Sequence, residues 1–246
     1  MALNNMKTAT ITFHAPNNNG SFLQAYALQK YITTHFDNVE NEIIDFQPES
    51  QQQQYAIFRK IHSKKDILRN LISFWHYKAL SKRFLAFSEM REKYLKMTKR
   101  CTTTEEAIKI AGNYDLVIAG SDQIWNTTAR DFSEAFFLPG ISKKSTYAVS
   151  CGSHLNEVDC DRICSAMETF ENVSVREIDT REFLEKHTKR SIETVLDPAF
   201  LLTKEDYSGL YDKERILKEK YIFLYTINYD EDALKQTVRV AERLGG

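Results

Sequence analysis
Two hydrophobic rhythms alternate along this chain. KTATITFH (7–14) switches between apolar and polar positions and is rich in Thr and Ile, which predicts a first strand. After the loop APNNNG, SFLQAYALQKYITTHF (21–36) carries Phe22, Leu23, Ala27, Leu28, Tyr31 and Ile32 at helical spacing. NEIIDFQ (41–47) predicts a second strand. Strand, Gly-containing turn, helix and strand make a βαβ unit, which points to an α/β fold with a parallel, doubly wound sheet. The alternation resumes later. TTTEEAIKIA (102–111) reads as a helix capped by Thr103 or Thr104, and YDLVIAG (114–120) as an apolar strand covered on both faces. KSTYAVSCGS (144–153), NVSVRE (172–177) and ETVLDPAFLL (193–202) predict further strands, the last turning at Asp197-Pro198; helices are expected around 157–169 and 178–187.

Residues 47–54, QPESQQQQ, read as a polar break, and residues 55–100 interrupt the alternation with a helical insert. One stripe holds Ile57, Ile61, Leu68, Leu71 and Trp75; Phe84, Phe87 and Tyr94 continue it in a second helix. Net charge is −1, yet this segment holds thirteen Lys or Arg against three Asp or Glu. A basic, aromatic segment raises the question of an anionic partner. Its spacing fits no nucleic-acid module, so nucleic acid is not an expected partner. A solvated basic face, and peripheral contact with an anionic membrane surface or an acidic glycan, stay open.

At 42% hydrophobic residues with few Gly and Pro, the chain has material for a true core. No run is long and apolar enough to span a bilayer, and the N-terminus lacks a secretory pattern, so a cytoplasmic location is expected. Cys101, Cys151, Cys160 and Cys164 have no CxxC pair or histidine cluster beside them; reduced core thiols are expected, and no metal. Near the C-terminus, YIFLYTI (221–227) and EDALKQTVRVAERLGG read as the first strand and helix of another domain. Residues 1–200 are therefore expected to form one domain with the insert at about 55–100. Residues 201–246 are expected to form a linker and the start of a truncated second domain.

Ligands of open α/β sheets gather beyond the carboxyl ends of the strands. Four such ends here are polar. His14 ends the first strand and Asn19, Gly20, Ser21 and Gln24 follow it, and Ser121, Gln123 and Trp125 flank Asp122 after YDLVIAG. Ser150 and Gly152 end STYAV, and Arg176 ends NVSV. The first loop leads into a helix N-terminus, which favours an anion unless Ser21 serves only as cap. Asp122 is a candidate base or hydroxyl-orienting group, or a cap; Trp125 is a sugar-stacking surface or core. Arg176 suits a phosphate or carboxylate, or pairs with Glu177 or Asp179. Cys151 as a nucleophile has only His154 nearby.

Taken in order, NNNGSFLQAYALQ, YDLVIAGSDQIWN, KSTYAVSCGS, VSVRE and VLDPAFLL resemble the polysaccharide pyruvyl transferase family, from about residue 7 to the end and most weakly at 48–100. The resemblance implies a Rossmann-like sheet within a double-Rossmann architecture like that of some glycosyltransferases. It implies transfer of a pyruvyl unit from phosphoenolpyruvate to sugar hydroxyls in cell-surface or exopolysaccharide biosynthesis. No cofactor is required beyond the donor, and the acceptor is a sugar or lipid-linked oligosaccharide. Asp122 and Arg176 would be catalytic and the other strand-end residues substrate-binding. With its second domain truncated, the chain is expected to be inactive alone. Two other readings stand beside this one: a nucleotide-sugar-dependent glycosyltransferase and a non-catalytic glycan- or anion-binding domain.

Overall fold
The computed structural model describes residues 5–152, 157–211, 220–226 and 229–244. It is a mixed α/β structure, and two compact units divide it at Leu202 and Thr203. In the first unit, β1 (Met6–Ile11), β2 (Val39–Ile43), β3 (Leu116–Ala119) and β4 (Lys144–Thr146) form a parallel sheet in the order β2-β1-β3-β4. A second parallel pair, β5 (Ser174–Val175) and β6 (Glu193–Thr194), continues from it through the bridge Val149↔Val175. At the other edge, Met97 bridges Ile43 at the end of β2 and Cys101 bridges Phe46 just beyond it. With that segment counted as a strand, the chain moves outward from β1 to one edge, then returns to fill the other side beginning with β3. The reversal lies between β1 and β3, where crossovers leave in opposite directions and open a crevice at the strands' carboxyl ends.

Helix α1 (Asn19–His35) follows β1 and lies against β2, burying Phe22, Ala25, Leu28 and Ile32 on one stripe. Asn18, not Ser21, is its cap: Asn18 Oδ1 accepts from Gly20 N at 2.7 Å. Gln29, buried on the same stripe, donates to Asn41 O and Lys96 O, tying the helix to β2 and to the segment beside it. Helix α5 (Thr104–Ala111) has the reciprocal capping box of Thr103 and Glu106 before β3. Helix α6 (Glu157–Met167) and helix α7 (Ile178–Leu184) complete the alternation. Asp197 caps a 3₁₀ turn at Pro198–Phe200, which packs on α1.

The insert differs from expectation. The glutamine-rich stretch is a helix, α2 (Glu49–Tyr55), since Gln favours helix even without an apolar stripe. Helices α3 (Lys64–Trp75) and α4 (Tyr77–Tyr94) follow. The stripe on α3 is not core: Leu68, Leu71, Ile72, Phe74 and Trp75 are exposed, Trp75 by 83%. In the second unit, helix α8 (Glu231–Arg243) is capped by Asp230, but residues 220–226 join no strand ladder among the described residues. No helix among the described residues is long and apolar enough to cross a membrane.

Candidate functional site
The crevice between β1 and β3 is built by one amide. Gln24 Nε2 donates to Thr12 Oγ1, Phe13 O and Ser21 O at 2.9–3.0 Å, while its Oε1 accepts from Ser121 N at 3.2 Å. Thr12 Oγ1 donates to Ser121 O at 2.8 Å, and Ser121 Oγ to Ala148 O at 2.7 Å. Gln24, Ser121 and Ser150 are all buried. The side chains of Gln24 and Ser121 therefore lock the strand ends together, and Ser150 joins them through its backbone, N to Asp122 O at 3.0 Å and O from Trp125 N at 3.2 Å, contrary to the sequence expectation that all three face a ligand.

The lock presents Asp122, whose left-handed φ of 72° follows Gly120 at φ 126°. A Cβ on Gly120 would lie 2.1 Å from Tyr147 O, so β3 and the chain after β4 can meet here only because residue 120 is glycine. Asp122 Oδ2 accepts from Ser21 Oγ at 2.9 Å and Oδ1 from Gln123 N at 2.8 Å. Gln123 is exposed beside it, as are Asn19 and Gly20 at the start of α1. Gly152, at φ 77°, lies against Asn126.

A second carboxylate, not anticipated from sequence, joins Asp122. Asp131 is buried, and burial first, then the charge of Asp122, pushes its carboxyl above the usual range. Tyr55, at the end of α2, donates to Asp131 Oδ2 across a long 3.5 Å contact. Burial, Asp131 and Asp122 together raise the Tyr55 hydroxyl to about 12, so it stays a donor at neutral pH. A carboxyl raised by burial and by the charge of a second, fixed carboxylate suits acid–base chemistry.

Three other expectations change. Trp125 is fully buried, its ring against Phe137 and Phe170 and its Nε1 donating to Phe136 O, so it fills core and offers no face to a sugar. Arg176 is already paired, by Nε to Glu177 and by Nη1 to Asp197, both at 2.9 Å. Its charge is neutralised by two carboxylates, one of them predicted from the adjacent position. His14 is buried away from the crevice, with Nδ1 on Thr12 O at 3.2 Å and Nε2 on Asp45 Oδ1 at 2.9 Å. Burial pushes the Asp45 carboxyl up, but bonds from His14 and Gln47 and the charges of His14 and Arg100 bring it down to about 2.

The four cysteines are free and buried; burial pushes the Cys151 thiol up, away from nucleophilic use, and His154 lies outside the described residues. Among the described residues no cluster of three or more His, Cys, Asp or Glu could hold a metal.

Neither a search of curated proteins nor one of solved structures gives a match. A family model does match, under the description polysaccharide pyruvyl transferase. Because that match runs over residues 18–246, from the loop that opens α1 through the crevice and beyond, the chain belongs to this family of transferases.

Proposed function
We propose that the protein moves a pyruvyl unit from phosphoenolpyruvate to two hydroxyls of one sugar, forming a cyclic ketal in a cell-surface or exopolysaccharide. The observation that carries this reading is Asp122, held at the carboxyl end of β3 by Ser21 Oγ and the Gln123 N–H, whose charge adds to burial in raising the carboxyl of Asp131. In the reaction the donor's methylene carbon gains a proton and C2 gains a C–O bond to each hydroxyl, while the C2–O bond to phosphate breaks. The hydroxyls release two protons; one balances the new methyl group and the other leaves with phosphate. Asp131 accepts a hydroxyl proton, because a carboxyl raised toward neutrality is a stronger base than an ordinary one. Asp122 orients the attacking hydroxyl, and Gln123, Asn19 and Gly20 line the approach. Arg176 supports the site indirectly, by holding Asp197 and Glu177.

The same reading takes residues 1–200 as a Rossmann-like domain. It places the protein in the cytoplasm, where the exposed apolar and basic side chains of α3 touch the inner membrane face peripherally. It needs no cofactor.

The test follows phosphate release from phosphoenolpyruvate by the full-length protein with a panel of nucleotide-linked and lipid-linked sugars. Sugar-dependent release with a matching mass gain on the sugar is expected. Release that ignores the sugar, or stabilisation by a nucleotide sugar with no release, would sink the reading.

A further inference from the structure
A cavity of about 560 Å³ lies between the insert and the loop after β1, and the transfer chemistry above makes no use of it. Its lining carries two charges of one sign, Arg91 and Arg100, and no acid. Arg91 is 8% exposed and is set by Nη1 on Ala15 O at 3.0 Å and on Asn17 Oδ1 at 3.3 Å. Arg100 gives only its Nε to Asp45, at 3.2 Å, and its side chain is 63% exposed. Part of the lining is aromatic: Phe58 stacks on Tyr77 with centroids 5.8 Å apart, and Phe84 lines the cavity from the same helix as Arg91. Gln51 also lines the cavity; it is 3% exposed, and its Oε1 has no hydrogen-bond partner. An acceptor buried in that state calls for an N–H or O–H from something that enters.

These features describe one kind of ligand. Paired guanidinium groups select phosphate. An aromatic lining selects an apolar or aromatic body, and the volume suits a ligand much larger than a three-carbon phosphate. We propose that this cavity binds the phosphorylated carrier of the acceptor sugar, with the phosphate on Arg91 and Arg100, its organic body on Phe58, Tyr77 and Phe84, and a hydroxyl or N–H of the ligand on Gln51. The word acceptor rests on the pyruvyl-transfer reading; the cavity's chemistry does not. The two regions adjoin through Tyr55, which lines the cavity and also reaches Asp131. A sugar leaving the carrier phosphate in that direction meets the carboxylate pair.

A phosphate on an apolar or aromatic body has two sources, a nucleoside diphosphate or a prenyl diphosphate. Calorimetric titration of the full-length protein, without phosphoenolpyruvate, uses uridine diphosphate, farnesyl diphosphate and inorganic pyrophosphate as probes. One organic diphosphate is expected to bind at least about tenfold tighter than pyrophosphate. Uridine diphosphate as that ligand assigns a nucleotide carrier, and farnesyl diphosphate a lipid carrier. Arg100→Ala is expected to weaken that ligand at least about tenfold, and Phe84→Ala to bring it near the pyrophosphate level. Arg91 also holds the loop after β1 and Arg100 also pairs with Asp45, so Phe84→Ala and Gln51→Leu, each checked for an unchanged melting temperature, carry the test. The proposal is overturned if neither organic diphosphate exceeds pyrophosphate, or if both variants bind the preferred ligand within about twofold of wild type. Phosphate release onto a free sugar is a separate readout, so pyruvyl transfer can stand while this site falls.

Discussion
Replacing Asp45 by asparagine keeps the shape of the His14–Asp45–Arg100 cluster but removes its central charge. The carboxyl falls from its ordinary 3.8 to about 2 in the folded protein, because His14, Gln47 and Arg100 together outweigh the opposing effect of burial. Each tenfold change in proton affinity corresponds to about 1.4 kcal/mol, so the interaction stabilises the neutral-pH fold by about 2.5 kcal/mol. The sign of its pH dependence follows from which state takes up the proton first. As pH falls below about 4, the unfolded chain protonates Asp45 while the folded protein keeps it ionised, so the advantage drains away until pH nears about 2. Asp45→Asn has no such carboxyl to titrate. Other carboxylates titrate in both proteins, so the difference between the two is the quantity to read. Denaturant melts followed by circular dichroism, from about pH 6 to about pH 2.5, should show the variant about 2.5 kcal/mol less stable at the upper end, with the gap mostly closed at the lower. A gap that holds constant across this range would refute the reasoning, whatever its size.

Three further outcomes are expected. Gly120→Ala should cost about 3 kcal/mol or more in a urea melt, because its Cβ meets the Tyr147 carbonyl at 2.1 Å on a left-handed backbone; Gly152→Ala, meeting only the Asn126 side chain, should cost less. Trp125→Ala should lose about 3–5 kcal/mol of stability as a cavity opens among Phe137 and Phe170; a higher acceptor KM with unchanged stability would restore the stacking role. Asp131→Asn should lower kcat by about 10²–10⁴. In the wild type kcat/KM should rise with pH through an ionisation above the usual carboxylate range, and that limb should vanish in the variant.

What could be read from the sequence was what neighbouring residues determine. The stripe of α1, the alternation of β1 and the Thr103–Glu106 box are local patterns, and the structure keeps all three. Burial is not local. The α3 stripe has the spacing of a core helix, yet nothing in that spacing says whether a partner surface exists, and here its side chains meet solvent. Trp125 sits in a polar turn and gave no sign of the Phe136, Phe137 and Phe170 that enclose it. Arg176 shows the boundary between the two cases: Glu177 is its neighbour and was foreseen, whereas Asp197 lies twenty-one positions on and was not. The site was legible as a set of strand ends and illegible as a set of exposed groups. Polar residues at such ends serve the scaffold and the ligand alike, and Gln24 and Ser121 proved to belong to the scaffold. Asp131 had no pattern to announce it; only the fold sets it beside Asp122 and Tyr55.

The insert leaves and rejoins the sheet at nearly the same place. Its two ends are fastened side by side, Ile43 N to Lys96 O at 2.8 Å, Thr98 N to Ile43 O and Gln47 N to Cys101 O at 2.9 Å. The closure of that loop is thus borne by the sheet edge, with Arg83 and Arg91 of α4 adding bonds to the loop after β1. Loop-closure entropy grows only as the logarithm of length, so doubling or halving the intervening chain changes stability by well under about 1 kcal/mol. The sheet is a socket, and the segment between Gln47 and Lys96 is the exchangeable part. Helices of different number and lining can be fitted there while Asp122 and its Gln24 lock stay as they are, although such an exchange takes Tyr55 away from Asp131. The lining of the cavity can therefore vary while the sheet edge that carries it stays fixed.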